Sequence, residues 1–118
     1  MNEEKPVLFI PGVGNRGMTE LHFAAYCGDG EELMRCLAAG MDPNTIDAYR
    51  GYTALLWLTD MAATGGPRLE MLRALVEHGA DIHTRSNDGV SAVTLARDAG
   101  TQAGDELAAR LISLGAVE

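Results

Sequence analysis

The sequence predicts an all-α repeat architecture in which two-helix units stack side by side. Three features predict it. A Gly-x-Thr or Gly-x-Ser triplet recurs at Gly17, Gly51 and Gly89, spaced by 34 and 38 residues. Each triplet leads into a short apolar run, a break, and a second run with apolar residues at helical spacing: Leu33, Cys36 and Leu37; Leu72, Leu75 and Val76; Ala108, Leu111 and Ile112. Each unit then closes on a glycine, at Gly40, Gly79 and Gly115. One such unit cannot bury its stripe alone, whereas stacked units can.

Taken in order, residues 1–6 carry no element, and Val7 to Ile10 read as an extended segment that covers the first helix pair. Residues 1–16 form a lead-in and cap, ahead of a repeat domain over 17–118 with units at about 17–50, 51–88 and 89–118. The first pair is expected at 20–27 and 31–39, the second at 54–63 and 68–78, and the third at 92–99 and 105–114. The hydroxyls of Thr19, Thr53 and Ser91 suit N-caps, because each can accept a backbone N–H of the first turn. Glu31, Glu32, Asp105 and Glu106 fall in first turns of second helices, where they complement the positive end of the helix dipole. Pro67 stands near a helix start, a position it tolerates. The closing glycines suit left-handed C′ positions. The Thr/Ser-to-closing-Gly distance is 21, 26 and 24 residues, so the second and third units carry extra residues between their helices. "DMAATGGP", Asp60 to Pro67, is expected to lengthen the helix before it by about a turn. "GTQAG", Gly100 to Gly104, holds the second insertion. Hairpin-like connections are expected at 41–52 and 80–90. Glu106, Arg110 and Ser113 give the last unit a wettable outer face.

The stretch "TELHFAA", Thr19 to Ala25, with "AGMDPN" and "HGADIH" further on, resembles the ankyrin repeat family over about residues 15 to 118. That resemblance implies an ankyrin-type solenoid of helix-turn-helix units joined by short β-hairpin loops. It implies a histidine hydrogen bond in the first repeat only, because His22 is replaced by Leu56 and Thr94 in the others. It further implies a non-catalytic scaffold that binds another protein with its hairpin tips and first-helix edge. Carried onto this chain, the partner-binding residues are Ile46, Tyr49, Arg50 and Tyr52 at one tip, and Arg85, Asn87 and Asp88 at the other. The first-helix edge adds Tyr26, Asp60, Met61, Arg97 and Asp98. Two tyrosines flanking an arginine are the pointed feature, because such side chains give large contact area at low entropic cost.

Composition narrows the function. The chain has 118 residues, room for one domain, and a net charge of −8 with pI near 4.7. Nucleic acid is excluded as a partner, since phosphate binding needs a Lys/Arg surface. A protein partner with a basic surface fits, and an acidic surface speeds such an encounter. No stretch approaches a membrane span, and the N-terminus is not a secretory signal. With only Cys27 and Cys36 there is no disulfide framework, so a cytoplasmic location follows. The free protein is expected to be a monomer and to need no cofactor. A dedicated inhibitor, such as an immunity protein against a toxin enzyme, is the first reading. A self-associating adaptor is the second, and a small nucleotide-binding enzyme the remote third.

The enzyme reading rests on Gly12, Gly14 and Gly17, which fit G-x-G-x-x-G after Val7 to Ile10. That fingerprint also needs a following strand and an acidic residue about 20 positions on. Asp42 has the spacing, but "AAGMDPNT" is poor strand material, and Gly17 is already explained as a repeat glycine. His22, Cys27, Cys36, His78 and His83 are too scattered to predict tetrahedral zinc. Cys36 falls on the apolar stripe, and a nucleophilic Cys27 would need a lowered pKa. Trp57 is expected to fill space between repeats.

Overall fold

Residues 18–62 and 66–117 are described by a computed structural model. The lead-in, its Val7 to Ile10 cap and the Gly12–Gly14 stretch lie outside them. Among the described residues there are six helices: α1 Glu20–Cys27, α2 Gly30–Ala38, α3 Ala54–Asp60, α4 Arg68–Glu77, α5 Ala92–Asp98 and α6 Gln102–Ser113. The first helices α1, α3 and α5 pack on one another as one layer, and the second helices α2, α4 and α6 form the other.

The predicted start signals do what their chemistry allows. Thr19, Thr53 and Ser91 accept from the backbone N–H of His22, Leu56 and Thr94 respectively. In α1 the cap is reciprocal, because Thr19 N–H donates to His22 Nδ1 at 2.9 Å. That fixes Nδ1 as an acceptor, so Nε2 carries the proton and donates to the Thr45 carbonyl at 2.8 Å. The closing glycines Gly40, Gly79 and Gly115 all have positive φ.

Between the layers lies one core, with Leu21, Leu33, Leu55, Leu72, Val93 and Leu111 among its fully buried side chains. Cys36 is buried in it, as its place on the stripe predicts. In α6 Ala108 and Leu111 are buried as expected, but the third member of the stripe is Leu107 rather than Ile112, which is 43% exposed.

Three expectations need correction. The insertion after Asp60 does not lengthen α3, which ends at that residue. The cause is Arg68, whose guanidinium is buried and whose Nη1 donates to the Leu58 carbonyl at 3.0 Å, an acceptor that a further turn would use. The same side chain donates to Ala25 and Tyr26 carbonyls at the end of α1. A cation thus sits where two helices present their negative ends. The second insertion is absorbed by helix: Thr101 caps Gly104 N–H, and α6 starts at Gln102 rather than 105. Finally, the hairpin-like connections hold no strand among the described residues; a single antiparallel bridge joins Arg85 and Ser91.

Candidate functional site

The first connection is built around a buried aspartate. Asp47 is 3% exposed, and its Oδ1 accepts from the backbone N–H groups of Tyr49, Arg50, Gly51 and Tyr52 at 2.9–3.2 Å. Its other oxygen accepts from the indole Nε1–H of Trp57 at 2.6 Å. Five donors on one carboxylate curl residues 47–52 into a tight loop and pin that loop to α3. Gly51 is needed there because its φ is +70°, a conformation that other residues rarely adopt.

Trp57, itself buried, is the hub of an aromatic cluster. Tyr52 meets it edge-on at 4.8 Å, Tyr26 lies tilted at 5.2 Å, and Tyr49 stacks on it at 6.4 Å. The Arg50 guanidinium lies over all three rings of Tyr49, Tyr52 and Trp57, at 5.1, 5.8 and 5.9 Å. Asp60 accepts from the Tyr52 hydroxyl at 2.9 Å and pairs with Arg50 at 3.5 Å. The phenol oxygens of Tyr49 and Tyr52 push the Arg50 pKa up, while burial raises that of Tyr52. The tip therefore presents a fixed guanidinium, backed by the buried phenol of Tyr52.

The second connection approaches it. Asn87 N–H donates to the Arg50 carbonyl at 2.9 Å, and Arg85 Nη1 donates to the Gly89 carbonyl at 2.9 Å. Between the two tips lies an open cavity of about 480 Å³, whose lining includes Tyr49, Arg50, Asn87 and Asp88.

The structure thus brings Tyr26, Tyr49, Arg50, Tyr52 and Asp60 together around Trp57, and sets Asn87 and Asp88 across the cavity from them. Tyr52 is only 5% exposed, so it supports the tip rather than presenting a surface. Tyr49 and Arg50 are exposed, and Ile46 is 59% exposed beside them in sequence. Met61 packs partly buried against the core, and Arg97 and Asp98 stand at the end of α5, outside the cavity lining. Sequence reasoning missed Asp47. The available signal was Trp57, since a buried indole N–H needs an acceptor.

Cys27 is exposed at the end of α1. Burial of its thiol and the Asp29 charge push its pKa up, against the shift a thiolate nucleophile needs. Among the described residues no helix is long and apolar enough to cross a membrane.

Paired helices in two layers, with connections gathered along one edge, define a repeat scaffold. The family model for the ankyrin repeat matches residues 16–48. The structure is similar to an ankyrin repeat domain from Acinetobacter baumannii AYE, with a TM-score of 0.77 and 27% identity. That match covers 89% of this chain, and this chain spans about half of that one, 52%. A search of curated proteins finds no match to the sequence. The chain has an ankyrin-type repeat fold, and its residues 16–48 match the ankyrin repeat. Ankyrin repeats are protein–protein interaction modules, and the fold is typically non-catalytic.

Proposed function

We propose that this chain binds another protein through its first tip and acts as an acidic inhibitor of a basic partner. The observation that carries the proposal is the mounting of Tyr49 and Arg50. Both are exposed, yet both rest on a buried foundation of Trp57 and Asp47 beside a cavity. An anchor already held in place loses little entropy on binding. The net charge of −8 supports a basic partner.

The test is affinity capture of the native partner, followed by calorimetry on the purified pair. Tyr49→Ala with Arg50→Ala should weaken binding by more than about tenfold while moving the melting temperature little. Unchanged affinity would remove the tip as the contact. Affinity that does not fall with added salt would remove the basic partner.

A further inference from the structure

The acidic surplus is not confined to the tip edge. There Arg50, Arg85 and Arg97 stand among Asp42, Asp47, Asp60, Asp81, Asp88 and Asp98. The second helices are acidic as well. α2 carries Glu31 and Glu32, α4 carries Glu70 and Glu77, and α6 carries Asp105 and Glu106. Each of these helices has one exposed arginine, and that of α2, Arg35, is tied to Glu32 and Glu20.

An apolar groove of about 410 Å³ runs between the starts of α2 and α4 on this acidic side. Met34 and Pro67 give it an apolar surface above the fully buried Met71, and Met34 is 45% exposed. Asp29, Glu31 and Glu70 stand in its lining, which includes no cationic side chain among the described residues. Asp29 is partly engaged, since it caps α2 by accepting from Glu32 N–H.

We infer that this groove docks a basic, amphipathic segment of a protein partner. The chemistry fits one occupant well. Arginine and lysine have long apolar stems under a charged head, so the stem can lie along Met34 and Pro67 while the head meets Glu31 or Glu70. Methionine floors adapt to such stems because the thioether is flexible and polarisable. Where carboxylates face a guanidinium beside an apolar floor, the hydrogen bonds are charge-assisted. This inference rests on the reading that the partner is basic, but not on the tip being its contact. It places a basic contact on the outer face of α2 and α4, apart from the tip edge.

The probe is a short fluorescent peptide alternating arginine pairs with leucine pairs, titrated by anisotropy into the purified protein. Methionine methyl shifts are mapped on the unsubstituted chain. Saturable binding is expected, with the Met34 methyl signal moving. Glu31→Gln with Glu70→Gln should weaken the peptide by about tenfold. Glu77→Gln with Asp105→Asn removes the same charge elsewhere on this side and should weaken it less than about twofold. Equal loss in both double variants would overturn the inference, because net charge alone would then explain the binding. So would the absence of saturation, or methyl shifts that leave Met34 unmoved. The tip variants Tyr49→Ala and Arg50→Ala should leave peptide binding intact, so failure of the groove and failure of the tip are read separately.

Discussion

The two tips share a frame and differ in what holds it. Both end in a glycine of positive φ, Gly51 and Gly89, followed two residues later by a helix-capping hydroxyl, Thr53 and Ser91. Inside the first tip a carboxylate gathers four backbone N–H groups and an indole. Inside the second, the Ser86 hydroxyl accepts from the N–H groups of Asp88 and Val90, both at 3.2 Å. The first is roofed by Trp57; the residue at that place in the next repeat is Leu95, which has no polar atom to offer. The same turn frame therefore accepts a strong anchor or a weak one, and the strong one lies under the exposed Tyr49 and Arg50. Rigidity here is set by one buried acceptor rather than by the repeat motif.

The largest effect should come from removing that acceptor. Asp47→Ala leaves several buried N–H groups without a partner, at a cost of about 3 kcal/mol or more in urea unfolding. Asp47→Asn keeps one oxygen for the backbone but turns an N–H₂ toward the indole, and should cost less. If Asp47→Ala costs no more than the removal of Ser86 discussed below, the contrast between the tips is wrong. Trp57→Phe comes next. It keeps much of the apolar fill but deletes the donor to Asp47, for a loss of about 2 kcal/mol. Tyr49 and Arg50 should then become mobile, which backbone relaxation would show.

The scaffold was legible because its signals are local. Thr19, Thr53, Ser91 and the three closing glycines each act through their own backbone, so spacing alone finds them. The anchors are not local. Asp47 reaches ten residues along the chain to Trp57, and Arg68 reaches back more than forty to Ala25 and Tyr26. Neither residue type nor repeat register marks such a contact. The tip candidates were half legible for the same reason: Tyr49, Arg50 and Tyr52 are adjacent in sequence, but only packing shows that Tyr52 faces inward. The acidic groove between α2 and α4 was hidden too, since it depends on which helices share a layer. The α6 start was missed because Thr101, a plain cap signal, sat inside what read as an insertion.

Ser86→Ala should cost about 1 kcal/mol, because the N–H groups it releases lie in an exposed tip where water can replace the hydroxyl. Its effect on Tyr49 and Arg50 should be small. Chemical shifts that move at Tyr49 as far as at Asp88 would instead show that the backbone link from Asn87 to Arg50 couples the two tips.

The smallest effect concerns pH, and it too separates the two connections. His22 ties the first at its root through the Thr45 carbonyl, while the matching residue in the next repeat, Leu56, offers no donor. Burial holds the His22 pKa below its ordinary 6.5, outweighing the opposing pull of the Thr45 carbonyl and the Asp47 charge. Above pH 6.5 the folded and unfolded chains both carry the neutral ring, and stability gains nothing from it. As pH falls below 6.5 the unfolded chain takes up a proton that the folded chain resists, so stability falls. The loss should stay under about 1 kcal/mol between pH 7.5 and 6.0, before the carboxylates titrate. Protonation would also force a hydrogen onto Nδ1, the atom that accepts from Thr19 N–H, so the first turn of α1 should loosen together with the root of the first tip. Urea midpoints across that range, with His22→Gln as the reference, would measure it. A flat profile in the original chain would mean that His22 keeps its ordinary affinity for protons. A fall of equal size in His22→Gln would assign the titration to a group other than His22.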